Sequence, residues 1–193
     1  MSRQEAYNLL TKYIKNRNLI NHSLAVESAM RGLYRHLTPK DEQSKVSEDM
    51  WGITGLLHDI DYEIVQEKNL LEKHGNYLFE TGEVKLPKDI THAIQAHNYT
   101  KTGIDPLSPM DWAVTASDQL TGLITACALV RPEKKLENVT PESVLKKFNV
   151  SAFAKGADRE MIKLCESKLA LPLPEFVKIV LTSMKEIHDD LGL

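Results

Sequence analysis

The chain has 193 residues, of which 42% are hydrophobic and 26% charged, and its formal net charge is -3. That length suits one globular domain spanning 1–193, and that balance excludes an intrinsically disordered chain. The mild acidity disfavours nucleic acid as a partner, and two isolated cysteines, Cys127 and Cys165, make neither a disulfide framework nor a zinc ribbon.

The opening Met-Ser-Arg-Gln-Glu has no apolar signal core, so a cytoplasmic protein is expected. Ser2 can cap a first helix, Arg3 to about Lys15, with Tyr7, Leu10 and Ile14 on one face. A second helix runs from about Ile20 to Leu37, where Thr38-Pro39 ends it. Its apolar ridge is Leu24, Ala25, Ala29 and Leu33, and His22 projects from that face one turn earlier. After a polar connection, Lys40 to Ser47, a third helix runs from about Glu48 through Leu57 and stops near Asp59. Glu63 to Leu71 reads as a short helix or irregular chain, and Lys73-His74-Gly75-Asn76 opens another short helix to Thr81. Pro87 starts a helix to His97, with Ile90, Ala93, Ile94 and His97 inward. Asn98 to Leu107 is a loop, and Ser108 caps a long helix ending near Val130.

The 19 residues from Trp112 to Val130 carry one charge, Asp118, and nearly reach bilayer length. An ionised carboxylate in hydrocarbon is costly, so a helix buried in protein is expected and no membrane span. Beyond Arg131-Pro132, Thr140-Pro141 opens a helix to about Phe148, and Ala157 to Leu169 and Pro174 to Leu191 read as two more. No strand pattern or repeat appears. The fold class is therefore all-α, about eight or nine helices, with residues 131–193 as a helical extension.

Chemistry concentrates in Gly55-Leu56-Leu57-His58-Asp59-Ile60-Asp61. No charged side chain occurs from Trp51 to Leu57; then imidazole and carboxylate, the usual ligands of borderline and hard divalent ions, arrive together. Adjacent helical residues diverge by about 100°, so His58 and Asp59 share one ion most easily at a helix end. Asp118 is buried by its surroundings and must be protonated, hydrogen-bonded, paired with a basic group or bound to a cation. Taken singly, His22 reads as a satisfied core histidine, His74 as a turn residue and His97 as a helix C-terminal cap. His36, His92 and His188 read as ordinary surface or half-buried residues. Arg131, Lys134 and Lys135 form a candidate phosphate clamp, with equal claim to be a solvated face. No P-loop, GxGxxG, nucleophile elbow or CxxC is present.

In order along the chain, His22, His58-Asp59, His74, His97 and Asp118 resemble the HD-domain superfamily of metal-dependent phosphohydrolases. The words Asn21-His22-Ser23 and His58-Asp59-Ile60 carry the likeness, which covers about residues 18 to 130. More narrowly, His97-Asn98, Asp118-Gln119-Leu120-Thr121-Gly122-Leu123-Ile124 and Leu129-Val130-Arg131-Pro132-Glu133-Lys134-Lys135-Leu136 resemble small bacterial and archaeal predicted HD-superfamily hydrolases. That likeness places the C-terminal third in the same unit.

The resemblance implies a helical bundle in which His22, His58, Asp59 and Asp118 hold a first ion. His74 and His97 hold a second, with Asp59 bridging. It implies one or two divalent ions (Mn, Fe, Co, Ni or Zn, with Mg admissible), catalytic roles for Asp59 and His58, and a small phosphorylated substrate, a nucleotide foremost. Metal-activated water would attack phosphorus while the ions neutralise phosphoryl charge. Homo-oligomerisation is left open. Asp61-Tyr62 stands where cyclic-dinucleotide phosphodiesterases of the HD-GYP type carry Gly-Lys, which disfavours that activity. Asp61 itself reads equally as an outer acid of the site or a solvated turn residue. The rival expectations are a non-catalytic nucleotide-binding or regulatory module and a di-iron oxygenase.

Overall fold

The computed structural model describes residues 1–193 and contains helices and turns with no strand. The α-helical segments are α1 (Arg3–Tyr13), α2 (Arg17–Leu37), α3 (Lys45–Leu57), α4 (Tyr62–Glu67), α5 (Tyr77–Glu80), α6 (Lys88–His97), α7 (Tyr99–Thr102), α8 (Pro109–Leu129), α9 (Pro141–Phe148), α10 (Arg159–Leu169), α11 (Leu173–Glu186) and α12 (His188–Leu191). Two 3-10 turns, Leu71–Lys73 and Leu136–Asn138, complete the path.

Starts are set by side chains that accept orphan amide protons. Ser2 with Glu5, Ser108 with Asp111 and Thr140 with Ser143 form reciprocal capping boxes. Three expected starts shift for this reason. The second helix begins at Arg17 rather than Ile20, because Asn16 accepts from the Asn18 amide. The third helix begins at Lys45 rather than Glu48, because Ser44 accepts from the Ser47 amide. The helix expected from Ala157 begins at Arg159, because the Asp158 carboxylate accepts from Glu160 and Met161. The helix count exceeds the expected eight or nine because single turns such as α7 and α12 form within stretches read as a loop or as part of a longer helix. The Asn98–Leu107 loop thus contains α7, closed by Gly103 in the left-handed region.

The centre of the bundle is α2, α3, α6 and α8, each packed on its neighbours; α10 covers α8, and α11 covers α2. The helices α2 and α8, 21 residues each, are the long struts. One continuous cluster of 44 buried hydrophobic residues runs from Ala6 to Leu191, so helices beyond residue 131 share the core of the first two thirds. Contact between α2 and α3 reaches the backbone. A Cβ on Gly55 would lie 2.7 Å from the Val26 carbonyl oxygen and 2.9 Å from Met30 Cγ. Only hydrogen fits there, and that approach brings the ends of α2 and α3 carrying His22 and His58 together. No helix is long and apolar enough to cross a membrane.

Candidate metal centre

Five pieces of chain deliver six side chains to one spot. His22 comes from the first turns of α2, and His58 and Asp59 from the end of α3. His74 follows a 3-10 turn, His97 is the last residue of α6, and Asp118 lies midway along α8. Asp59 is the hub. Its Oδ1 lies 3.4 Å from His58 Nε2, 3.1 Å from His74 Nε2 and 3.7 Å from His97 Nε2, and its Oδ2 lies 3.7 Å from His22 Nε2. Asp118 Oδ1 stands 2.9 Å from His22 Nε2 and 3.6 Å from His58 Nε2.

Two overlapping ligand groups result, His22–His58–Asp59 and Asp59–His74–His97, with the donor atoms of each within 4.8 Å of one another. Donors bound about 2.1 Å from a common ion stand roughly 3 to 4 Å apart, so the spacing suits coordination.

Ring orientation argues the same way. His58 Nδ1 donates to the Gly55 carbonyl at 2.8 Å, His97 Nδ1 donates to the Ile94 carbonyl, and His74 Nδ1 donates to Asp61 Oδ1 at 2.7 Å. Each bond fixes the tautomer and turns the Nε2 lone pair inward. His74 and His97 then face one another Nε2 to Nε2 at 3.3 Å. Two lone pairs at that distance repel unless a proton or a metal cation lies between them. His58 Nε2 is a buried ring nitrogen without a hydrogen-bond partner. A cation satisfies it, together with the acidic oxygens 3.4 and 3.6 Å away. The donor set can therefore hold a metal ion.

Asp61, left open by the sequence, is an outer partner of the centre. It is buried, and beyond His74 it accepts backbone N–H bonds from Gly75 and Tyr77. Gly75 has φ +91°, and a Cβ there would lie 3.3 Å from the Ile94 carbonyl oxygen and in ordinary contact with the His97 ring. That left-handed residue folds the chain back so that His74 and His97 meet. Asp61→Ala should weaken divalent-ion affinity about 10- to 100-fold without removing a ligand, as titration calorimetry with Mn²⁺ would report.

The charges are mutually dependent. Burial would lower the His58 pKa, but the charges of Asp59 and Asp118 overcome it and hold the ring at about 9. Burial likewise opposes the His74 proton, and Asp59 and Asp61 raise it to about 10. His97 is pushed down to about 4 by burial and by its neighbours His74 and His58. Burial works against ionisation of Asp59 and Asp118, yet the facing histidines hold both carboxyls below their usual range.

Without metal, protons on His58 and His74 thus balance the carboxylates. Their pKa values are raised on folding, so this stabilisation is complete below about pH 6.5 and is lost as pH climbs through 9 to 10. The melting temperature of metal-free protein should therefore fall from pH 7 to 10. Divalent-ion binding should release protons and tighten with pH, about tenfold per unit for each proton displaced. Calorimetry in buffers of different ionisation enthalpy measures that release.

Two cavities flank His22. One of about 440 Å³ is lined by Asn18, Asn21, His22, Thr125 and Leu129, among others. The other, about 270 Å³, lies between His22, Asp118, Gln119 and Gly122 on one side and Ala154, Gly156 and Ala157 on the other. Arg131, Lys134 and Lys135 line neither of them; Lys135 lines a different cavity with Glu137, Lys185 and His188. A cavity of about 520 Å³ beside Trp51 and His92 touches none of the six side chains. His92 instead pairs with Asp111 at 3.1 Å, and His36 and His188 also stay outside the centre.

The six side chains expected as ligands lie close together: five form the two groups above, and Asp118 joins them through His22 and His58. Two residues have roles that the sequence reading did not assign: Gly55, whose carbonyl orients His58, and Gln119, which bonds Asp118 Oδ2 at 2.6 Å. Compared with protein-family models, curated proteins and solved structures, the chain matches none.

Proposed function

We propose that the chain is a metal-dependent phosphohydrolase of the HD-domain kind, acting on a small phosphorylated metabolite, a nucleotide foremost. The supporting observation is one carboxylate, Asp59, shared by two histidine groups and placed beside cavities that open at His22. Ions bound there supply Lewis acidity towards phosphoryl oxygen and lower the pKa of water. Asp59 would fix the ion pair and orient the attacking water. His58, locked by Gly55, holds its place at the base of the centre. Asn18, Asn21 and Thr125 offer neutral hydrogen-bonding groups to the rest of the substrate. In this reading Arg131, Lys134 and Lys135 act on an anionic substrate through their field, drawing it in rather than gripping it in the two cavities. We place the protein in the cytoplasm, a reading supported by two buried, unpaired cysteines.

The test is metal analysis followed by phosphate release across nucleoside phosphates and sugar phosphates, with each of Mn, Fe, Co, Ni, Zn and Mg. Turnover that stops on chelation and returns with the ion supports the proposal. Tight nucleotide binding with no release under any ion would make it a binding module. Oxygen consumption with bound iron would make it an oxygenase.

A further inference from the structure

The second oxygen of Asp118 leads away from the ion ligands. Gln119 Nε2 donates to Asp118 Oδ2 at 2.6 Å, and Gln119 Oε1 accepts the Asp158 backbone N–H at 2.9 Å. Asp158 caps α10 and ends the segment 149–158 that joins α9 to α10. That segment is tied into a unit. The Arg159 guanidinium donates to the carbonyls of Phe148, Phe153, Ala154 and Ala157. Ala154, Gly156 and Ala157 from the same segment form the outer wall of the 270 Å³ cavity, opposite His22 and Asp118.

An amide suits this position because one end must donate and the other accept. The carboxylate takes only the NH₂ end, and the backbone N–H takes only the oxygen end. The two bonds therefore fix the same torsion. When the wall leaves α8, the amide oxygen loses its partner, and the NH₂ group loses the restraint that aims it at Asp118.

We propose that Gln119 is a positioning residue that couples the ion centre to the 149–158 wall, so that a cation at Asp118 and a seated wall stabilise one another. This rests on the reading of Asp118 as an ion ligand, and it holds whatever reaction the centre performs. Coupling between two binding events is reciprocal, so the effect is measurable from either side.

The experiment is hydrogen–deuterium exchange on the full chain with and without Mn²⁺, alongside calorimetric Mn²⁺ affinity. In the wild type, Mn²⁺ should slow exchange in 149–158 several-fold, with α1 unchanged as the control for folding. Gln119→Ala should abolish that slowing and weaken Mn²⁺ about tenfold. Gln119→Glu separates the two bonds: it still accepts from Asp158 but repels Asp118. It should leave exchange of 149–158 near wild type without metal and lose the Mn²⁺ response. Mn²⁺ binding that leaves 149–158 unchanged in the wild type overturns the coupling alone, as does an undiminished response in Gln119→Ala. Failure of the wild type to bind any of the divalent ions overturns the ion reading and this one with it.

Discussion

On the proposed reading, Asp59→Ala should strip the centre of its metal and cut the proposed phosphate release. Asp59 is the one carboxylate within 4 Å of all four inward rings, His22, His58, His74 and His97. Removing one partner from a buried charged cluster costs about 3–5 kcal/mol, and each 1.4 kcal/mol is tenfold in affinity. Divalent-ion affinity should fall on the order of 10²- to 10³-fold, with turnover falling at least as far. Metal content after dialysis, read by mass spectrometry, and the rise in melting temperature on adding Mn²⁺ would report it. Asp59→Asn, which keeps the shape and one acceptor oxygen, should retain more affinity than Asp59→Ala. Two tightly held ions in Asp59→Ala would rule out the bridging role.

Gly55→Ala should be strongly destabilising. The added carbon would meet the Val26 carbonyl at 2.7 Å, and backbone of a packed helix cannot turn aside as a side chain can. Overpacking of this kind costs about 1–3 kcal/mol, which in a chain of this size lowers the melting temperature by roughly 3–10 °C. The neighbouring case supplies the contrast. A Cβ on Gly52 would meet the Arg31 guanidinium at 2.5 Å, the far end of a flexible side chain that can move, so Gly52→Ala should cost less. Gly55→Ala should also weaken ion binding, because pushing α3 off α2 carries the Gly55 carbonyl and the His58 ring with it. Equal melting temperatures for the two variants, by calorimetry, would contradict this account.

Much of the fold was legible because its signals are local. Helix starts follow from Ser2, Ser108 and Thr140, whose side chains bond amides three residues on. Starts were misplaced where two candidate caps lay close together, as at Ser44 and Ser47, and single turns such as α7 left too few residues to show a period. The six side chains were legible as candidate ligands only as an ordered set, through a family resemblance; taken singly, His22, His74 and His97 had ordinary structural readings. Asp61 stayed ambiguous because its meaning lies in three partners 13 to 16 residues downstream. Gln119 looked like one more polar residue on an apolar helix, since its partner Asp158 is 39 positions away.

By itself the sequence determined an all-helical chain and which imidazoles and carboxylates were available, because helical period and capping act over three or four residues. Only the tertiary structure decided that they converge. His22 and Asp118, 96 residues apart, meet at 2.9 Å because α2, α3 and α8 pack on one another, α2 and α3 down to the backbone at Gly55. Such distances depend on how whole helices pack, which no short stretch of chain encodes alone.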